Sequence, residues 1–169
     1  MICLVRIDGR LMHGMVAVSW MGAEKPDTFI VVNDKAANDA FETMTLKLAK
    51  PAGVDMFVWT KEKAVKCLNE PKYAGKKILL VVADVYDAEF VFNNVQGIKR
   101  LNVGPALDSK AGRITEGKQE FAGIYISPDE YEVLKRIHSM GAEIFAQMTP
   151  TVSRKNYADI EARFNAIKK

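Results

Sequence analysis

The chain has 169 residues, of which 49% are hydrophobic and 27% charged, with a net charge of +3. That is ordinary for a soluble globular protein of one domain, spanning 1–169, with a sizeable core. The charge is too small to argue for nucleic acid. No run reaches the roughly 18 consecutive apolar residues of a membrane span, and two cysteines, Cys3 and Cys67, give neither a disulfide framework nor metal-ligand spacing.

In chain order, residues 2–5 read as a short apolar strand that runs into Arg6, which is not the pattern of a signal peptide; the expected compartment is the cytosol. The run Arg6-Ile7-Asp8-Gly9-Arg10-Leu11-Met12-His13-Gly14 follows, and then a short apolar helix over 15–21. Residues 28–33 (TFIVVN) form a β-branched strand, and helix-like spacing of Ala37, Phe41, Met44, Leu46 and Leu48 predicts a helix over 34–50, stopped by Pro51. Residues 54–59 are a strand, and Thr60 is the N-cap of a helix to 68. The continuously apolar run over 77–83 predicts a strand buried on both faces, followed by a helix over 86–95 and a strand over 98–103. The polar stretch 106–119 is a loop or small hairpin, and 121–126 a strand. Ser127-Pro128-Asp129-Glu130 opens a helix to 140 that Gly141 closes. A last strand over 143–148 and a basic helix over 154–167 complete the chain.

Seven strands alternating with helices predict an α/β fold: a three-layer α/β/α sandwich around a mostly parallel sheet of about seven strands. Sites in such sheets form at the carboxyl ends of strands. The turns to inspect are therefore Asp8 to Gly14, Asn33-Asp34, Trp59-Thr60, Asp84, Asn102-Val103-Gly104 and Thr149-Pro150-Thr151.

Of these, the loop holding His13 carries the most chemistry. A histidine between a strand and a helix sits where backbone N–H groups are free and the helix dipole is positive. Arg10 lies in the same loop and Arg6 at the strand end, the parts needed to accept and hold a phosphoryl group. Asp8 either orients the non-reacting nitrogen of His13 or pairs with an arginine or caps the turn. Gly14 lets the backbone turn and its N–H approach an anion. Asn33-Asp34 suits helix capping, with ligand contact as the other reading, while Asn102 and Gly104 suit either a phosphate or sugar hydroxyl or plain turn chemistry. His138 is expected on a solvated helix face, Trp20 in the core, and Val16, Val18 and Met21 either in the core or on a partner surface.

The loop motif, with Val16 and Trp20 behind it, resembles the signature of the IIB component of the mannose/fructose/sorbose class of the bacterial sugar phosphotransferase system. Ile30 to Asp39, Leu48 to Val54, Leu101 to Gly104 and Met148 to Pro150 resemble further segments of the same family, so the likeness covers nearly the whole chain. It implies a phosphoryl carrier: a histidine at the position of His13 takes a phosphoryl group from a partner IIA domain and passes it to a sugar entering through the membrane components IIC and IID. The resemblance implies that Arg10 and the loop amides around His13 and Gly14 contact the phosphoryl group; with the loop chemistry above, the expected catalytic set is His13, Arg10 and Asp8, and the expected phosphoryl- and substrate-binding residues are Arg6, Gly14, Met15, Asn33, Asp34, Asn102 and Gly104. The resemblance implies no metal or nucleotide cofactor and a cytoplasmic protein associated peripherally with the transporter. The sugar is not fixed by the sequence, and a homodimer stays open.

The sequence departs from the family at Gly9, Met12 and Met15, the last standing where glutamine is usual, and the stretch 106–119 also differs. The alternative reading is therefore a regulatory or binding paralogue on the same fold. A histidine phosphatase is disfavoured, because Leu11 and Met12 separate Arg10 from His13.

Overall fold

A computed structural model describes residues 1–106 and 117–167. The order of elements is β1 (Ile2–Ile7), α1 (Gly14–Glu24), β2 (Thr28–Val32), α2 (Asp34–Asn38), α3 (Ala40–Leu48), β3 (Asp55–Trp59) and α4 (Lys61–Leu68). A 3-10 turn (Pro71–Tyr73) follows, then β4 (Ile78–Val82), α5 (Val85–Asn94), β5 (Arg100–Val103), β6 (Gln119–Phe121), β7 (Ile124–Ile126), α6 (Pro128–Ser139), β8 (Glu143–Ala146), β9 (Lys155–Asn156) and α7 (Tyr157–Ile167).

Seven strands form one sheet in the order β3-β2-β4-β1-β5-β8-β9, parallel except for the β8–β9 pair. The alternation of side chains assigns its two faces. Val5, Ile7, Ile30, Val32, Leu80 and Val82 point to one face, where Ala64, Ala88, Val91, Leu134, Ile137, Ile160 and Phe164 bring α4 to α7. Leu4, Phe29, Val31, Leu79 and Val81 point to the other, covered by Val16, Ala17 and Trp20 of α1, Ala36 of α2 and Leu46 of α3. Helices on both faces explain why β2 and β4 read as unbroken apolar runs.

Three elements differ from their sequence-based expectation. The helix predicted over 34–50 is two helices, because Asp39 takes an extended conformation and accepts a hydrogen bond from Glu42 N, capping α3. The strand predicted over 121–126 is a hairpin: Ala122 and Gly123 have φ of 51° and 82°, and β6 and β7 pair antiparallel, apart from the main sheet. The seventh strand of the sheet is β9, in the stretch expected to begin the last helix. Most of the stretch 106–119 lies outside the described residues.

The strand order places β1 at a switch point. From β1 the chain leaves through α1 on one face, while its neighbour β4 leaves through α5 on the other. A crevice opens at the carboxyl ends of strands whose chains part in this way.

Candidate functional site at the carboxyl end of β1

The loop from Asp8 to His13 is fastened at several points. Asp8 N–H donates to Val82 O at 2.9 Å and Gly9 N–H to Pro105 O at 2.7 Å, joining the loop to the ends of β4 and β5. Leu11 N–H returns to Asp8 O at 2.8 Å, closing a tight turn. The left-handed residue of this turn is Leu11, with φ of 58°. That conformation is uncommon for a non-glycine residue; burial of Leu11 and Met12 in the core beneath α1 offsets it. The expectation that Gly14 provides the turn is corrected accordingly: Gly14 has no positive φ, and nothing lies within 4 Å of where its Cβ would be. What its missing side chain leaves is open space at the helix start.

Below the loop is a buried ionic network. Asp8 has no exposed surface, Arg6 is 2% exposed and Asn102 has none. Arg6 Nη2 donates to Asp8 Oδ2 at 2.9 Å. Arg6 Nη1 donates to Asn102 Oδ1 and, at 3.3 Å, to Gln147 O. The guanidinium also lies 5.1 Å from the centroid of the Trp20 ring, whose face is attractive to a cation. Burial pushes the Arg6 pKa down from its ordinary value, and Asp8 opposes the shift.

Asp8 touches each of the partners its position allowed. Its Oδ2 lies 3.2 Å from His13 Nε2, while its Oδ1 accepts the Arg10 N–H at 3.1 Å and lies 3.6 Å from Arg10 Nε. The His13 side chain is 23% exposed and that of Arg10 48%, so both reach the surface that Asp8 and Arg6 do not. His13 is the N-cap of α1 in an extended conformation, with no side-chain bond to the helix. The first backbone bond is Ala17 N–H to His13 O at 3.0 Å, which leaves the N–H groups of Gly14, Met15 and Val16 ahead of the helical ladder. This loop thus combines an oriented imidazole, a half-exposed guanidinium and open backbone donors.

Of the other expected site residues, Asn33 and Asp34 lie apart from the loop. Asn33 Oδ1 accepts Ala36 N–H at 2.9 Å and caps α2, and Asp34 Oδ1 accepts Lys61 N–H at 2.7 Å at the start of α4. Both follow β2, which β4 separates from β1, and among the described residues no hydrogen bond joins them to the His13 loop. Arg6, Asn102 and Gly104 lie under the loop, not on its surface, as expected of a support and not of a surface contact with ligand. Met15 is 52% exposed on the first turn of α1, Val18 is 75% exposed, and Val16 and Trp20 are core residues. His138 is exposed, with its ring stacked 3.7 Å from that of Tyr157. Gln147 escaped the sequence reading; only its place directly after β8 at the carboxyl edge would have signalled it. Among the described residues no group of three or more His, Cys, Asp or Glu is placed to hold a metal. No helix among them is long and apolar enough to cross a membrane.

Fold and loop together define a doubly wound α/β protein with a candidate site around His13 at the end of its central strand. The chain belongs to the family of sorbose-subfamily IIB components of the phosphotransferase system, which it matches over residues 2–169. It is 28% identical to a probable phosphotransferase enzyme IIB component of Streptococcus pyogenes serotype M6, over 95% of this chain and 99% of that protein. It is 27% identical to the mannose-specific EIIAB component of Escherichia coli K12 over 96% of its own length, but spans only 49% of that relative. Among solved structures, manxB of Thermoanaerobacter tengcongensis superposes with a TM-score of 0.85 at 22% identity, covering 97% of this chain and 96% of that one. The IIBSor domain of the Klebsiella pneumoniae sorbose permease gives 0.83 at 23% identity, covering 98% and 97%. At such identities the two structures establish the shared fold.

Proposed function

We propose that this chain is a phosphoryl carrier in which His13 accepts a phosphoryl group from a IIA partner and passes it to a sugar entering through the IIC and IID membrane components. The observation that carries this reading is the His13–Asp8 contact. Asp8 faces Nε2 at 3.2 Å, which favours the tautomer with hydrogen on Nε2 and a lone pair on Nδ1. Nδ1 is then the nucleophile. It attacks the phosphorus of the donor's phosphohistidine, a new N–P bond forms, and the old N–P bond breaks with the donor imidazole leaving. In the second step a sugar hydroxyl attacks, the O–P bond forms, the bond to Nδ1 breaks and the hydroxyl proton is released. In-line placement and charge stabilisation are the main demands of such a transfer. Arg10 and the N–H groups at the start of α1 are suited to offset the nearly two negative charges of the phosphoryl group. Family membership supports the same reading, and the protein works at the cytoplasmic side of its transporter.

The test is phosphoryl labelling from phosphoenolpyruvate with the general enzymes and a matching IIA domain, comparing wild type with His13→Ala. Acid-labile label on wild type alone is expected. Equal labelling of both would remove His13 from the role. Met15, half-exposed where the family usually has glutamine, favours a second reading as a regulatory paralogue. In that case the protein accepts phosphate but hands none to sugar in membranes carrying IIC and IID, and Met15→Gln restores transfer.

A further inference from the structure

We infer that Asn102 is a positioning residue for the His13 site, acting through Arg6 and Asp8. Asn102 pairs in register with Arg6 across β1 and β5, and with Phe145 across β5 and β8. Its Nδ2 donates to the carbonyls of Phe145 at 3.4 Å and Gln147 at 3.1 Å. Carbonyls only accept, so the amide nitrogen must face them and Oδ1 must face Arg6. The amide has one satisfying orientation.

The consequence passes along the guanidinium. Arg6 Nη1 bonds Asn102 Oδ1, and Nη2 on the same planar group bonds Asp8 Oδ2 at 2.9 Å. A rigid fork held at one nitrogen fixes the direction of the other. That direction sets the turn of the Asp8 carboxylate, whose Oδ2 in turn faces His13 Nε2 at 3.2 Å. Asn102 has no exposed surface, so it orients the imidazole from beneath without touching a phosphoryl group.

The inference rests on the carrier reading for its rate measurement but not for its spectroscopic one. The experiment records 15N spectra of His13 with the ring neutral, the rate of phosphoryl acceptance from IIA, and thermal stability. It uses wild type, Asn102→Ala, Asp8→Asn and the double variant. Wild type is expected to show the Nε2–H tautomer. Asn102→Ala is expected to mix tautomers and to slow acceptance about 10- to 100-fold, the scale of a small misplacement of reacting groups. In the Asp8→Asn background the same substitution should cost less than about 2-fold, because effects through a shared partner are not additive. Equal losses in both backgrounds, or an Asn102→Ala protein with a wild-type spectrum and rate, would overturn the inference. Should the alanine variant fail to fold, Asn102→Asp serves instead: its carboxylate draws Arg6 from Asp8 and should also mix tautomers, and a wild-type spectrum there counts against it. If wild-type His13 accepts no phosphate, the carrier reading falls, while the tautomer comparison still decides the part played by Asn102.

Discussion

Gly104 lies against the guanidinium of Arg6, with no room between them for a side chain. A Cβ on Gly104 would stand 2.9 Å from Arg6 Cζ and overlap the Ile7 carbonyl oxygen. The carbonyl is backbone at the end of β1 and cannot swing aside. Gly104→Ala is therefore expected to destabilise the protein by about 1–3 kcal/mol, the usual scale of overpacking. A denaturant midpoint within error of wild type would show that β1 and β5 can part without cost.

Asp8 is the only carboxylate among the described residues bonded to the buried Arg6. Asp8→Ala leaves that cation without its ion-pair partner, a change expected to cost about 3–5 kcal/mol. Thermal and chemical denaturation measure it. A variant as stable as wild type would mean that Asn102, the Gln147 carbonyl and the Trp20 ring suffice to hold the charge.

Arg10 separates function from stability. Its side chain is 48% exposed, so Arg10→Ala should change stability by no more than about 0.5 kcal/mol. Phosphoryl acceptance should nonetheless fall about 100- to 1000-fold, as when one preorganised donor is removed from a site of developing charge. Unchanged acceptance would leave the phosphoryl group to the helix start alone.

Glu143 supplies a pH dependence away from the site. It pairs with Arg154 and accepts from Arg100 Nε at 3.2 Å, and these contacts, Arg154 first, hold its carboxyl below the usual range. A depressed carboxylate stabilises the fold above its unfolded value, and that contribution is lost as pH falls through the folded value. The melting temperature of wild type should thus fall more steeply below about pH 4.3 than that of Glu143→Gln. Parallel curves would show that solvent screening cancels the pair.

Periodicity carried the layers of this fold well. Unbroken apolar runs such as TFIVV and ILLVV can be buried on both faces only, and the helices between them fix the parallel sense. It failed where a single backbone torsion or a long-range pairing decided the outcome. Asp39 breaks a helix whose apolar spacing continues past it, because its side chain offers a cap. Residues 155 and 156 have no strand pattern, and pair with β8 only because the chain returns beside Phe145 and Ala146. At the site, His13, Arg10 and Asp8 share one loop, so their proximity was legible. Arg6 and Asn102 were visible as residue types, but their burial depends on neighbours 96 and 141 positions from Arg6. Gln147 acts there through its backbone carbonyl, which no side-chain motif can announce.

The distant partners of Arg6 also bear on how the chain matures. His13 and its arginines leave the ribosome before the residues that immobilise Arg6, which lie 96 and 141 positions further along the chain. Contacts of such separation form late, since closing long loops precedes any reward from them. A nascent or truncated chain that ends before β8 has its histidine but lacks both carbonyls, of Phe145 and Gln147, that hold Asn102, the latter of which also holds Arg6. On the carrier reading, the placement of His13 is thereby tied to completion of the sheet, and a chain that stops short of β8 carries the histidine without the buried support that holds it.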